Sequence, residues 1–298
     1  MDRLESMSML VAVAEAGSLS AAGRRLGVPL TTVSRKISEL ETHLGTELLK
    51  RSSRRVVLTE AGAGYIEACK RILEQIGEAE RAATGEYRAP RGELMITAPI
   101  VFGRLHLLPV ICDFLKAYPA IAIRLVQSDR NINLLEEHID LALRIGALPD
   151  SSLMAMRLGT VRRVVCGSPA YFAGHGMPAA PADLDAHDCI TSNVLTAANE
   201  WRFGVAAAEV SVSVRSRLFV STAEAAIDAA IAGLGVTRVL SYQTAEAVKD
   251  GRLVIALAPF EPAPLPVSLL YGQGRLLPLK LRAFLDFAAP RLKGRLAL

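Results

Sequence analysis

With 298 residues, 51% of them hydrophobic, the chain can fill more than one core, yet no uninterrupted apolar stretch approaches the roughly 18 to 20 residues that span a bilayer. Its 34 Lys and Arg against 30 Asp and Glu leave a net charge of +4, so attraction to nucleic acid must come from a local cluster rather than from the whole surface. The start, Met1-Asp2-Arg3-Leu4-Glu5, is charged and lacks the apolar centre and cleavage site of a secretory signal, so a cytoplasmic location is expected.

The first predicted elements, between Leu10 and Leu58, are two short helices around a tight turn, followed by a basic wing. Ser18 can cap a helix through Leu19, Ala21, Ala22 and Leu26, whose alanines let another helix approach closely, and Gly27 ends it. Thr31 or Thr32 can cap the next helix, where Val33, Ile37, Leu40 and Leu44 recur at the spacing of one buried face until Gly45 closes it. The opposite face is polar. Its first turns carry Thr31, Thr32, Ser34, Arg35 and Lys36, where a recognition helix presents side chains to base edges and phosphates in a major groove. Leu48 and Leu49 then lead through Lys50, Arg51, Arg54 and Arg55 to Val56, Val57 and Leu58, a pattern that suits a small hairpin whose cationic tip grips the DNA backbone. Each fragment alone also reads as an ordinary helix or a solvated basic face. Their order within about fifty residues is what a winged helix-turn-helix requires.

Thr59 can cap a long helix in which Tyr65, Cys69, Ile72, Ile76, Ala79 and Ala83 repeat at alternating four and three spacing. That stripe reads either as a coiled-coil seam between two chains or as a face packed on the chain's own first helix, where Leu4, Leu10 and Val13 also need cover. The pattern breaks at Gly85 to Gly92. Beyond it, strands are predicted at Glu93 to Thr97, Ile121 to Gln127 and Leu141 to Ile145, with helices at Phe102 to Ala117 and Leu134 to His138. This alternation argues for a parallel α/β sheet. A second such unit runs from Val161 to about Leu257, with a long strand at Val210 to Val220 and a helix at Thr222 to Ala232; a strand at Val267 to Tyr271 and a helix at Leu279 to Leu292 close the chain.

The amino-terminal residues resemble the LysR-type transcriptional regulators. The resemblance is carried by Ser18-Leu19-Ser20-Ala21-Ala22, Leu26-Gly27, Val33-Ser34-Arg35-Lys36-Ile37, Leu40-Glu41, Leu44-Gly45, Leu48-Leu49, Arg51, Arg54 and Leu58-Thr59-Glu60-Ala61-Gly62, and the layout agrees from end to end. The turn into the recognition helix departs from the pattern. It reads Val28-Pro29-Leu30-Thr31-Thr32 where many members have a Ser-Gln-Pro-Ala-like run, so Leu30 replaces a Gln that often contacts a base. The resemblance implies an amino-terminal all-α winged helix-turn-helix with a long linker helix, then an α/β two-lobed effector domain like the periplasmic binding proteins. It implies domains at 1–58 (DNA binding, Ser20 included among the contacts), 59–84 (linker and dimerisation), 85–92 (hinge) and 93–298 (effector binding). Lobe I would span about 93–160 and 267–298, lobe II about 161–266, with two strands crossing between them. It further implies a homodimer or homotetramer on promoter inverted repeats, an effect on RNA polymerase, and a small-molecule effector, acidic or aromatic.

Such lobes hold a small molecule at strand ends and helix beginnings. Thr97, Pro99, Ile100 and Val101 join a strand to a helix amino terminus, whose N–H groups favour an anion. Ser128 and Arg144 end the next two strands, and Asn193 and Thr222 offer an amide and a hydroxyl from the other lobe. Arg144 either grips an acidic effector or pairs with Asp140 or Asp150, and Thr222 either meets the effector or only caps its helix.

Cys69, Cys112, Cys166 and Cys189 stand at neither metal-ligand nor redox-motif spacing and read as free thiols. No catalytic pattern stands out: there is no Gly-x-Ser-x-Gly elbow, and His43, His106, His138, His175 and His187 form no ligand pair. His187-Asp188-Cys189 reads as a strand start rather than a metal site. No catalytic residue, cofactor or metal is therefore expected. The competing reading, a solute-binding protein or enzyme built on the α/β half, is opposed by the amino-terminal motif.

Overall fold

The structure, a computed structural model, describes residues 2–51, 56–83, 89–130, 139–148, 153–192, 200–204, 209–273 and 277–296. It divides into two compact units, Met1–Ala89 and Pro90–Leu298.

In the first unit, the Asp2 carboxylate accepts from the amides of Leu4 and Glu5 to start α1 (Arg3–Ala16), and Ser18 accepts from Ala21 to start α2 (Leu19–Leu26). Both helices end on left-handed glycines, Gly17 and Gly27. Neither Thr31 nor Thr32 caps α3 (Leu30–Leu44). Pro29 holds the cap position without a side-chain bond, its φ of −59° already helical, and its carbonyl accepts from Thr32 at 3.0 Å and Val33 at 3.2 Å. The wing pairs β1 (Leu49–Arg51) antiparallel with β2 (Val56–Leu58). Its tip, with Arg54 and Arg55, lies outside the described residues.

The Thr59 hydroxyl accepts from Gly62 at 2.9 Å and so caps α4 (Glu60–Ala83). Leu10, Val13, Val33, Ile37, Leu40, Leu48 and Ile66 form one core, each burial worth about 1.5–3 kcal/mol. The expected stripe is divided along its length. Cys69 is buried and Tyr65 packs on that core, whereas Ile72 is exposed and Ile76 half-buried. The side chains of Ala79 and Ala83 lie outside the described residues. Gly62 permits a close approach: a Cβ there would lie 2.0 Å from the Leu48 carbonyl oxygen.

The second unit contains two five-stranded sheets. Its elements begin with β3 (Gly92–Ala98), followed by a continuous helical run comprising α5 (Ile100–Phe102), a π-turn (Gly103–Leu107) and α6 (Leu108–Ala117). The expected helix at Phe102 thus starts two residues earlier. Next come β4 (Ile121–Gln127), β5 (Leu141–Ile145) and β6 (Leu153–Val161), while the helix expected at Leu134 to His138 falls outside the described residues. After Arg162 alone, β7 (Arg163–Gly167) opens the other sheet.

The chain continues through α7 (Pro169–His175), β8 (Cys189–Ser192), β9 (Glu200–Phe203), β10 (Val210–Ser213), β11 (Ser216–Val220), α8 (Ala223–Ile231), β12 (Val236–Leu240), α9 (Ser241–Lys249) and β13 (Val254–Ala256), with β9 and β10 forming a separate two-stranded sheet. The chain then returns as β14 (Leu265–Gly272) and ends in α10 (Leu279–Leu296).

The sheet orders are β4-β3-β5-β14-β6 and β11-β8-β12-β7-β13. Neither is purely parallel as expected. β14 runs antiparallel to β5 and β6, and β7 antiparallel to β12 and β13, because the crossing segments enter each sheet from the opposite end. The single strand expected from Val210 to Val220 is two: β10 pairs with β9 and β11 with β8, the break falling where Val214 turns into the core. Phe102, Phe114 and Phe284 centre the first lobe's core. In the second lobe, Val164, Cys166 and Ile190 pack under α8 on one face, while Val165, Val236 and the chain's only tryptophan, Trp201, fill the other.

Candidate DNA-reading face and ligand-binding region

On α3 the buried positions are Val33, Ile37 and Leu40, so the residues between them face outward. Thr31 and Arg35 are exposed, Thr32 and Ser34 half-buried, and Ser20 is exposed on α2. Arg35 reaches Glu39 one turn on at 2.8 Å, a surface pair that an arriving phosphate or guanine can displace at little cost. Lys36, also expected among the DNA contacts, has a partner within the unit. Its ammonium pairs with Glu5 on α1 and its side chain is only 13% exposed, so in this arrangement it ties α3 to α1. Leu30 stands 49% exposed at the head of α3, where it offers only apolar contact. Arg51 lies on β1 opposite Val56, at the base of the wing.

In the second unit, Pro99 precedes α5, and the Ile100 amide donates to Asp129 Oδ1 at 3.1 Å. The helix start expected to await an anion therefore already holds a carboxylate of the chain, one residue beyond Ser128. Burial pushes the Asp129 carboxyl up, against the Ile100 bond, and Glu224 adds to the rise. Ser128 accepts from Arg130 at 3.2 Å in a turn of its own. Thr97 and Val101 are buried, and the Thr97 hydroxyl has no partner among the described residues.

From the other lobe, Thr222 accepts from Ala225 at 3.3 Å and caps α8. Two residues later Glu224 takes Arg104 at 2.9 Å, so the starts of the two helices face each other across the lobes. Phe102 and Tyr242 meet edge to face at 5.2 Å beside this contact. Arg144 is half-buried opposite Ser268, and burial pushes its guanidinium down. Asn193 lies outside the described residues. The fold thus brings Ile100, Ser128 and Thr222 into one region around Asp129, Arg104 and Glu224. No sequence pattern marks those three, because their meeting depends on the lobes facing each other.

The run His187-Asp188-Cys189 opens β8. Asp188 holds Arg215 at 2.9 Å and Arg217 at 2.6 Å, and these cations keep its carboxyl below the usual range. The Tyr171 hydroxyl lies 3.3 Å from His187 Nδ1, and no cluster of three or more metal-ligating side chains occurs among the described residues. No described helix is long and apolar enough to cross a membrane.

Two family models match the chain: the bacterial regulatory helix-turn-helix protein of the lysR family over residues 4–63, and the LysR substrate binding domain over 88–293. The chain belongs to the LysR family of transcriptional regulators. A relative from Xanthomonas campestris, an HTH-type transcriptional regulator, is 37% identical over 294 residues, covering 97% of this chain and 85% of its own. The solved structure of CrgA, a LysR-type regulator from Neisseria meningitidis, matches with a TM-score of 0.62 at 31% identity, covering 97% of this chain and 98% of its own. The full-length virulence activator AphB of Vibrio cholerae matches with a TM-score of 0.62 at 29% identity over 96% of this chain and 98% of its own. The first unit is accordingly a LysR-type DNA-binding unit and the second a LysR-type effector-binding domain.

Proposed function

We propose that this regulator binds promoter inverted repeats as a dimer or tetramer, reading bases from the start of α3 while the wing clamps the adjacent backbone. The observation that carries the reading is the outward, polar first turns of α3 on a rigid core, with a basic hairpin beside them. Two such helices on one duplex double the contacts and match a two-fold operator. The half of α4 that its own unit leaves uncovered, around Ile72, supplies the pairing surface. A small acidic or aromatic effector binds between the lobes near Ile100, Ser128 and Thr222, favours one lobe arrangement over the other, and thereby alters access of RNA polymerase. The protein works in the cytoplasm by binding rather than by catalysis.

The test is retention of fragmented genomic DNA by the purified protein at moderate salt. Enrichment of a few sites sharing an inverted repeat supports the reading; diffuse retention that vanishes with salt opposes it. Arg54→Ala lowers affinity on all sequences and reduces the salt slope by about one, whereas Thr32→Ala and Arg35→Ala change sequence preference. Uniform loss in the latter two would remove them from base reading.

A further inference from the structure

Two arginines of the effector domain share one face of a sheet, and among the described residues no carboxylate pairs with either. Arg163 opens β7 and Arg238 lies near the end of β12. The antiparallel register sets Leu240 opposite Arg163 and Arg238 opposite Val165, so both guanidiniums leave the same side of the ladder. Arg238 is 4% exposed. Its Nη1 donates to the Arg202 carbonyl at 3.0 Å, and its guanidinium carbon stands 5.2 Å from the Trp201 ring centre and 5.9 Å from that of Phe203. Its Nη2 and the Nε of Arg163 are buried without a partner among the described residues, and no described carboxylate pairs with either side chain. Burial pushes both guanidiniums down, and Arg163 adds its like charge to the effect on Arg238.

A buried cation is ordinarily paired, because leaving its donors both desolvated and unmet is costly, and aromatic faces offset only part of that cost. Here Arg238 meets two rings and one carbonyl, and the half-buried Arg163 on the same face adds a second positive charge. We infer that Arg163 and Arg238 form an anion-binding subsite for the carboxylate of the effector, seated against Trp201 and Phe203. The planar fork of a guanidinium matches a carboxylate, and the rings suit an organic acid better than a strongly hydrated phosphate. The subsite adjoins the crossing between lobes, where the Ser241 amide donates to the Arg162 carbonyl at 2.9 Å, so its occupancy bears on the lobe arrangement. The assignment rests on the domain being ligand-responsive.

Trp201 is the only tryptophan, so its fluorescence reads the subsite directly in the full-length protein. We would titrate acetate, succinate and benzoate, with chloride and inorganic phosphate at matched ionic strength. The expected result is a saturable change with at least one carboxylate, absent with chloride and phosphate, and weakened by about tenfold or more in Arg163→Gln and Arg238→Met. If Arg238→Met does not fold, Arg163→Gln carries the comparison. No saturable response to any of the three acids, an equal response to phosphate, or unchanged affinity in the folded variants overturns the assignment. Genomic-fragment retention without added acid, run on the same proteins, separates this failure from failure of the regulator reading.

Discussion

Glu41 Oε1 accepts the amide of Leu48 at 2.9 Å, joining the last turns of α3 to the chain that enters the wing. The same oxygen takes the Leu49 amide at 3.1 Å, so one carboxylate sets the angle between the recognition helix and the β-hairpin. Glu41→Ala leaves two partly buried N–H groups without their charged acceptor. It should destabilise the DNA-binding unit by about 2–3 kcal/mol, with Glu41→Gln recovering part. Thermal unfolding of the full chain, followed with duplex affinity, checks this; wild-type behaviour of Glu41→Ala would contradict it.

Gly62→Ala drives a methyl group into backbone, since its Cβ would stand 2.0 Å from the Leu48 carbonyl oxygen and 2.9 Å from the carbonyl carbon. Backbone at the junction of wing and α4 cannot swing aside as a flexible side chain would. Loss of DNA binding is expected, with unfolding of the second unit unchanged. Gly64→Ala, with open space around its Cβ, serves as the control on the same helix.

Burial pushes the thiols of Cys166 and Cys189 up to about 12. At neutral pH neither carries appreciable thiolate, the form that reacts. Cys112 is exposed. Iodoacetamide followed by peptide mass spectrometry should label Cys112 in the native protein and reach Cys166 and Cys189 only after denaturation. Prompt modification of either buried thiol by dilute peroxide would overturn this.

His106 sits in the π-turn with both ring nitrogens buried and unpartnered among the described residues, between Phe102 at 4.7 Å and Tyr242 at 5.5 Å. Burial, then the charge of Arg295, lowers its pKa below the ordinary 6.5. As pH falls through the unfolded value, the unfolded chain takes the proton first, so stability declines from there until the folded value is passed, then levels. His187, lowered by burial and by His175, contributes in the same direction. His106→Phe keeps a ring in the contact and removes the proton site. Its melting temperature should fall less than that of wild type between pH 7 and pH 5; parallel curves would exclude His106 from the acid response.

Local signals carried most of the helical architecture. Ser18 and Thr59 cap where their hydroxyls and the following apolar spacing say they should, and Gly27 and Gly45 end helices in left-handed conformations. The strands Ile121–Gln127 and Leu141–Ile145 were legible to the residue, because turn residues bound each apolar run. What failed to show depends on distant partners. Nothing local to Lys36 announces its pairing with Glu5, which α1 brings beside it from 31 positions back. The alternation from Val210 to Val220 cannot reveal that the chain changes sheets midway. Arg163 and Arg238 sit in apolar strands 75 residues apart in sequence, and only the register of β7 with β12 shows them on one face.

The place of β14 governs how this chain can be born. It lies between β5 and β6, yet it is synthesised after the whole second lobe, about a hundred residues later than the end of β6. At roughly 5–20 residues per second, the ribosome leaves facing edges of β5 and β6 open for several seconds. The second lobe, contiguous in sequence, can close in that interval, while the first must wait for the last stretch of chain. Nascent molecules therefore pass through a stage with one finished lobe and one gap-toothed sheet, where a chaperone, or the same edge of a neighbouring nascent chain, competes with β14 for the vacant place.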